Sequence, residues 1–257
     1  MPETPGDAAR ETIDSTCLRV INRPQPPDRT IANLHYSLRR HFVDEFHFRH
    51  VPGLKPGSRV LDLGGNKTIK RGAFDIEHYG LSVVYSNLST VKRPDVQADA
   101  AHIPFKDASF DAVVCSELLE HVPHPPAVLR EIHRVLPGGG TLLLCVPFLY
   151  PIHGDPGDYG RYTDSYWREV VGTTGFDIMA VERQGAYWSV LSDMLRELVI
   201  YMGSRGRPRV GRIRGLMNLA ILRTRRLALA WDAGLSPEEN SFYGNYTTGF
   251  GVVAVKK

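Results

Sequence analysis

The sequence predicts a protein of the α/β class with a doubly wound, mostly parallel sheet. Short apolar segments alternate with helical stretches between residues 59 and 146, and tight glycine turns such as the one at 138–140 separate them. Strands that are apolar along their whole length are typical of a parallel sheet covered by helices on both faces. The strands that can be located in this way are 59–63, 81–85, 110–115, 141–146, 176–181 and 249–255.

Three further segments flank this alternation. Residues 1–29 are rich in Pro, Thr and Asp, which predicts a flexible N-terminal arm. In residues 30–50 an apolar side chain recurs at every fourth position, from Leu34 to Phe46, which predicts an N-terminal helix. A helical, arginine-rich insert at about 188–240 precedes the last strand. We therefore expect residues 30–257 to form one domain.

The composition is that of an ordinary globular protein. Of the 257 residues, 42% are hydrophobic and 23% charged, and the net charge of +3 is too small to predict nucleic-acid binding. The three cysteines show no paired spacing, which favours neither a disulfide framework nor a zinc cage. The N-terminal residues lack the apolar core of a signal peptide. These features predict a soluble cytoplasmic protein that binds no nucleic acid.

Three strand ends carry candidate ligand-binding residues. Ligands of open parallel sheets bind at the carboxyl ends of strands. The first strand ends in Asp62 and in the pair Gly64 and Gly65, whose missing side chains allow close approach of a ligand. Asn87 follows the second strand, where nucleoside-binding sheets usually have an acid, and Asp99 precedes a tight turn. Taken singly, each has a structural explanation, as a turn or a helix cap.

The order and spacing of these strand ends, followed by the segment SFDAVVCSELLEHV at 109–122, resemble class I, Rossmann-like methyltransferases. The resemblance covers roughly residues 59–146, and the strand at 249–255 resembles the antiparallel last strand of that family's seven-stranded sheet. It implies that the cofactor is S-adenosyl-L-methionine (SAM). It also implies these cofactor-binding residues: Asp62, Gly64 and Gly65 at the first loop, Asn87 at the ribose, Asp99 and Ala100 at the adenine, and Ser116 and Glu117 at the floor.

The sequence departs from the family pattern at two places. The family's first loop reads acidic-x-Gly-x-Gly-x-Gly, whereas Asn66 and Thr68 stand at the second and third glycine positions here. Asn tolerates positive φ better than most residues, so Asn66 is expected to preserve the turn. The second departure is Asn87 in place of the acid that holds the ribose.

The polar segment 147–163, called the acceptor loop below, is predicted to bind the methyl acceptor. It follows a strand that ends at the same sheet edge as the predicted cofactor-binding residues. A histidine ionises near neutral pH and suits a general base. The predicted catalytic residues are His153 and Asp155, which would orient the ring, with Asp158 as the alternative for that role. The predicted substrate-binding residues are Asp158, Tyr159 and Arg161. The alternative is a rigid Pro/Gly loop whose polar side chains satisfy its own backbone.

The remaining histidines are expected to be structural or solvated. His121, on the helix after the floor residues, is expected to have a structural rather than a catalytic role. Four histidines lie in the N-terminal helix without a shared metal-binding face, and most of them are expected to be solvated: His35, His41, His47 and His50. The sequence therefore predicts no metal ligand.

The insert has an unusual charge pattern. Residues 203–231 contain eight arginines and no acidic residue, with apolar side chains between them. A basic amphipathic helix suits an anionic membrane surface or a phosphate-bearing substrate. The alternative is a lid or dimerisation helix with its charged face in water.

These observations lead to one function and two alternatives. The sequence predicts methyl transfer from SAM to a small molecule, and the polar acceptor loop favours a hydroxyl of a saccharide or small natural product. An NAD-type oxidoreductase is disfavoured because the sequence lacks a Gly-x-Gly-x-x-Gly turn. A non-catalytic, methyltransferase-like binding module is the other alternative, suggested by the altered glycine loop.

Overall fold

The computed structural model describes residues 33–154, 156–204 and 211–257. The N-terminal arm predicted for residues 1–29 lies outside these ranges. The described chain forms a seven-stranded sheet with the order β3-β2-β1-β4-β5-β7-β6. The strands are Arg59–Leu63 (β1), Ser82–Asn87 (β2), Val96–Gln97 (β3), Ala112–Ser116 (β4), Thr141–Pro147 (β5), Phe176–Gln184 (β6) and Gly249–Lys256 (β7).

The strand directions confirm the predicted class. Strands β1 to β5 are parallel, and β7 lies antiparallel between β5 and β6. Strand β3 was not among the predicted strands, because two residues are too few for a periodicity. The strand order reverses between β1 and β4, so the connections leave on opposite sides there and open a crevice at the carboxyl ends.

Six α-helices surround the sheet within the described ranges: Leu38–His50 (α1), Pro125–Val135 (α2), Asp164–Thr173 (α3), Tyr187–Ser204 (α4), Gly211–Ala233 (α5) and Pro237–Tyr243 (α6). Helices α4 to α6 form the predicted insert between β6 and β7. None of the helices within the described part of the chain is long and apolar enough to cross a membrane.

In the described part of the helix predicted for residues 30–50, residues 33–37 are not helical and the helix begins at Leu38. Ser37 is its N-cap, and its side chain accepts a hydrogen bond from the backbone N–H of Arg40. Asp193 of α4 accepts hydrogen bonds from the backbone N–H groups of Leu38 and Arg39, at 2.8 and 2.9 Å. Arg225 of α5 donates to the carbonyl groups of residues 33 and 36, just before the helix. The insert thus holds the start of α1.

The side chains of the central strands alternate between two cores. On one face, Val113 and Cys115 of β4 pack with α2 and α3. On the other face, Ala112 and Val114 pack with Val43 and other residues of α1. Each central strand is therefore apolar throughout, as a sheet between two helical layers requires.

Two histidines of α1 are buried, which corrects the expectation that most of them are solvated. His41 and His47 are almost fully buried, and burial lowers the pKa of His41 to about 4 and that of His47 to about 3. His47 Nε2 lies 2.9 Å from Ser116 Oγ at the end of β4. Because α1 lies across the sheet, these neutral rings pack inside rather than in water.

Candidate cofactor site and acceptor loop

A cavity of about 460 Å³ opens at the carboxyl ends of β1, β2 and β4, with α1 along one side. The structure brings all eight residues implied as cofactor-binding to its wall: Asp62, Gly64, Gly65, Asn87, Asp99, Ala100, Ser116 and Glu117. They come from four separate segments of the chain. The cavity lies at the point where the strand order reverses, the usual position of a ligand in such a sheet.

The first loop is shaped by its two glycines. Gly64 has a φ of 84°, a conformation that favours glycine. A β-carbon on Gly65 would collide with the carboxylate of Asp62, so a side chain at this position would displace that group. Asn66 is not among the residues with positive φ, contrary to the expectation for it. It instead shapes the turn by accepting hydrogen bonds from the N–H groups of Thr68 and Ile69.

Asp62 lies under this loop with its carboxyl group in the cavity wall. Burial raises its pKa to about 6, although the charge of Lys70 acts in the opposite direction. A desolvated carboxylate favours a cationic partner, because the opposite charge offsets the loss of hydration. The site is therefore suited to the ammonium group of a ligand.

Asn87 is engaged by the glycine loop. Its side-chain NH2 donates to the carbonyl oxygens of Gly64 and Gly65, at 2.8 and 3.0 Å, and its Oδ1 accepts from the N–H of Ser89. An acid at this position could make neither of the first two bonds, because a carboxylate has no donor. The departure from the family pattern at Asn87 thus stabilises the altered loop.

Asp99 and Ser116 also have partners within the chain. Asp99 Oδ1 accepts a hydrogen bond from the backbone N–H of Ala101 at 2.9 Å, which closes a turn rather than capping a helix. Its side chain is 57% exposed, so the second oxygen remains accessible at the cavity. Ser116 contacts His47 and links the cavity floor to α1.

Glu117 forms a buried ion pair with Arg39 of α1. Arg39 Nη2 lies 2.5 Å from Oε1, Nε lies 3.3 Å from Oε2, and Arg39 also donates to Gln184 of β6. Burial raises the pKa of Glu117, but the guanidinium outweighs it and holds the value below the ordinary range. Glu117 has a φ of 56°, which is rare for a residue with a side chain and turns the backbone at the cavity floor.

The acceptor loop lies beside the cavity. The His153 ring packs edge-on against the ring of His121, with centroids 4.9 Å apart, and His121 lines the cavity. His153 itself is not part of the cavity wall. Asp155 lies outside the described residues. Among the described residues, Asp158 places a carboxylate next to His153: its Oδ2 lies 3.5 Å from His153 Nδ1 and accepts from the His153 backbone N–H.

The three predicted substrate-binding residues mainly stabilise the loop in this structure. Arg161 donates two hydrogen bonds to Asp158, at 2.5 and 2.7 Å, and further ones to the carbonyls of Pro151 and Gly160. Tyr159 has an exposed ring, and its backbone N–H donates to the carbonyl of Glu120. This pattern agrees with the alternative of a loop whose polar side chains satisfy its own backbone.

Glu120, which lies beside His121, was not among the residues predicted from the sequence. Glu120 is almost fully buried; burial and the nearby charge of Glu117 raise its pKa to about 8. His121 lies against it, with Nε2 3.5 Å from Glu120 Oε1. No spacing in the sequence relates Glu120 and His121 to His153. The first two residues follow β4, whereas His153 follows β5.

Comparison with known proteins agrees with this architecture. A family model described as a methyltransferase domain matches residues 61–144, from β1 to β5. The match includes the residues at the ends of β1, β2 and β4 that line the cavity. The chain contains a class I, Rossmann-like methyltransferase domain.

The methyltransferase domain is similar to parts of curated quinone methyltransferases. A demethylmenaquinone methyltransferase of Mycolicibacterium paratuberculosis is 36% identical over 104 residues, 38% of this chain and 45% of the relative. One of Beutenbergia cavernae is 38% identical over 102 residues, 36% of this chain and 42% of the relative. The chain spans less than half of the length of these relatives.

Solved structures share the fold at low identity. A structure assigned to a sarcosine dimethylglycine methyltransferase of Galdieria sulphuraria has a TM-score of 0.54 at 16% identity, covering 85% of each chain. The [4+2]-cyclase SpnF has a TM-score of 0.50 at 19% identity, covering 79% of this chain and 77% of its own. These likenesses support the fold of the methyltransferase domain and leave its acceptor open.

Proposed function

We propose that this protein transfers a methyl group from SAM to a small-molecule acceptor, at a hydroxyl of a saccharide or small natural product. The observation that carries the proposal is the convergence of eight implied cofactor residues on one cavity of a methyltransferase domain. An NAD-type oxidoreductase has no comparable support from the family match.

The cavity fits the proposed cofactor in size and charge. Its volume of about 460 Å³ falls within the range of roughly 300–1,000 Å³ usual for small-molecule sites. Asp62 presents a desolvated carboxylate suited to the ammonium of the methionine portion. When bound, SAM supplies an electrophilic methyl group on a positively charged sulfur. The chain's task is then to align the acceptor oxygen and to keep water away.

The acceptor loop is proposed to provide the general base for the hydroxyl acceptor. A hydroxyl acceptor must lose its proton as it attacks, and His153 is the proposed base. Asp158, one of the two carboxylates predicted to orient this ring, lies beside it, and Asp155 is outside the described residues. His121 connects this group to the cavity through its ring contact. Quinone acceptors, named for the curated relatives, are the main alternative, but the family match ends at Leu144, before this loop begins.

Calorimetric titration of the purified chain tests the cofactor. We expect SAM and S-adenosylhomocysteine (SAH) to bind with micromolar Kd, and Asp99→Ala to weaken both about tenfold, by about 1.4 kcal/mol. Asp177→Ala, an exposed carboxylate on β6, is the matched control and should leave both affinities unchanged. Labelled methyl donor then allows a screen of hydroxylated and quinone acceptors.

Other outcomes would contradict the proposal. Failure of both sulfur ligands to bind would favour the non-catalytic binding module, and binding of NADH in their place would favour an oxidoreductase. Transfer of label to quinones but not to hydroxylated compounds would retain the methyltransferase and overturn the proposed acceptor.

We propose further that the insert binds an anionic membrane surface. Helices α4 and α5 pack together, and both leave large apolar side chains exposed: Leu191, Met194, Leu195, Leu198 and Tyr201 in α4, and Leu216, Leu219, Leu227 and Trp231 in α5. The exposed residues of α5 recur with Arg223 at intervals of three or four, so they share one face. Apolar side chains beside arginines suit lipid headgroups, whereas a soluble phosphate-bearing acceptor would need only the charges.

Vesicle flotation tests this surface with the double variant Arg223→Gln/Arg226→Gln. Each arginine near a lipid surface contributes about 1 kcal/mol, so partitioning into vesicles with phosphatidylglycerol should fall roughly 30-fold. Arg130→Gln/Arg168→Gln, on the exposed sides of α2 and α3, removes the same charge elsewhere and should have little effect. Unchanged flotation of the insert variant would exclude membrane binding through these arginines.

A further inference from the structure

We propose that Glu120, His121 and His153 bind one divalent transition-metal cation beside the cofactor cavity. Each residue offers one ligand atom, and the three atoms lie within 4.8 Å of one another. Two of the residues are adjacent in the chain after β4, and the third follows β5, so only the folded sheet brings them together. The sequence analysis predicted no metal ligand.

Glu120 is the first reason to expect a cation. Its side chain is only 1% exposed, and within the described part of the chain neither carboxylate oxygen has a hydrogen-bond partner. His121 Nε2 lies 3.5 Å from Oε1 and forms no hydrogen bond with it. A buried carboxylate without hydrogen bonds is unfavourable unless it is protonated or a positive charge compensates it. A cation at this position would supply that charge.

The orientation of the two imidazole rings is the second reason. His121 Nδ1 lies 2.6 Å from the carbonyl oxygen of Gly157. His153 Nδ1 lies 3.1 Å from the carbonyl oxygen of Pro151 and 3.5 Å from Asp158 Oδ2. These acceptors place the proton of each ring on Nδ1, which leaves the lone pair of Nε2 available. Metal-binding histidines are usually fixed in this way by a carbonyl or carboxylate.

Hydrogen bonds hold the described residues around His153, which favours a fixed ligand geometry. Asp158 accepts from the backbone N–H of His153 at 2.8 Å and is itself held by two hydrogen bonds from Arg161. Tyr159 ties the same loop to Glu120, because its backbone N–H donates to the Glu120 carbonyl. Asp158 and Arg161 are thus positioning residues for the proposed site.

Two imidazoles and one carboxylate suit Zn²⁺, and three protein ligands leave a coordination position open for water or substrate. His121 lines the cofactor cavity, so the cation would lie at its edge. Its role there rests on the proposed function: a hydroxyl bound to the cation would have a lowered pKa and would release its proton to water. Its oxygen would then attack the methyl carbon of SAM as the bond to sulfur breaks and SAH leaves. In the metal-bound protein His153 is a ligand, and it serves as the base only in the metal-free protein.

Calorimetric titration of the EDTA-treated full chain with ZnCl2 tests the site. We expect one site with a micromolar or lower Kd, weakened on the order of 100-fold or more by His153→Asn and by Glu120→Gln. His124→Asn is the matched control, because this exposed histidine lies three residues from His121 and makes no side-chain cap. Titration with CoCl2 should give visible absorption bands that His153→Asn removes. Far-ultraviolet circular dichroism establishes that each variant is folded.

The proposal is overturned if the wild-type chain binds no stoichiometric zinc, or if a folded His153→Asn variant binds it as tightly as His124→Asn. Titration of the same EDTA-treated protein with SAH separates this inference from the proposed function. SAH binding without zinc binding would reject the metal site alone. Zinc binding without SAH binding would support the metal site and reject the methyltransferase function.

Discussion

At the residue scale, two acids of one cavity have opposite electrostatic surroundings. Burial raises the pKa of Asp62 to about 6, and the partly opposing charge of Lys70 does not restore it. Glu117 is also buried, but Arg39 stabilises its charge and holds its pKa below the ordinary value. Asp62 is therefore the acid that gains most from a cationic ligand, whereas Glu117 is already neutralised within the chain.

This difference predicts a pH dependence of cofactor binding. As pH falls through about 6, Asp62 becomes protonated and loses its attraction for the ligand ammonium, so the affinity for SAH should fall. Asp62→Asn should bind SAH about tenfold more weakly at pH 8 and should lose this pH dependence. Calorimetry between pH 5 and pH 8 measures both effects, with Asp177→Asn as the control.

Stability provides an independent check on the same residue. The folded-state pKa of Asp62 lies above its unfolded value, so its contribution to stability is lost as pH rises through about 6. Asp62→Asn should therefore be at least as stable as the wild type at neutral pH while binding SAH less well. If Asp62→Asn keeps the wild-type pH dependence of SAH affinity, Asp62 does not contact the ammonium group of the ligand.

At the element scale, α1 connects parts of the molecule that are distant in sequence. Arg39 reaches Glu117 at the cavity floor and Gln184 at the end of β6. Asp44, one turn further along, accepts hydrogen bonds from the Tyr36 hydroxyl and the Ala73 N–H, and so holds the loop after β1. Asp193 of α4 and Arg225 of α5 form hydrogen bonds at the start of α1. Helix α1 therefore contacts both the insert and the cofactor cavity.

Replacing Arg39 should destabilise the protein strongly. Arg39→Met keeps much of the buried volume but leaves the carboxylate of Glu117 without its partner, at a cost of about 3–5 kcal/mol. The double variant Arg39→Met/Glu117→Gln removes both charges and should regain most of that loss. Urea unfolding gives the free energies. A double variant that is less stable than Arg39→Met would show that the ion pair is not the cause.

At the scale of the whole molecule, the fold specifies where a ligand binds but not which reaction follows. Structures with TM-scores of at least 0.5 to this chain include a [4+2]-cyclase as well as an assigned methyltransferase. The family match covers residues 61–144 and leaves out both the acceptor loop and the insert. The acceptor chemistry must therefore be decided by the segments that vary around a shared sheet.

Much of this architecture could be predicted from the sequence because its signals are local. Apolar strands and glycine turns located six of the seven strands, and the position of ligands at strand ends led to Asp62, Asn87 and Asp99 at one cavity. The binding roles of these residues remain predictions. The two-residue strand β3 and the late start of α1 were missed, since neither produces a periodicity within its own segment.

The sequence by itself determined the fold class and the sheet edge at which the cavity opens, because both follow from periodicity and chain order. Only the tertiary structure decided which polar groups meet. It paired Arg39 with Glu117 across 78 residues and placed Asp193 at the start of α1 from 155 residues away. It also brought His153 to Glu120 and His121. Contacts of this kind depend on how helices and loops pack on the sheet, and no local spacing specifies them.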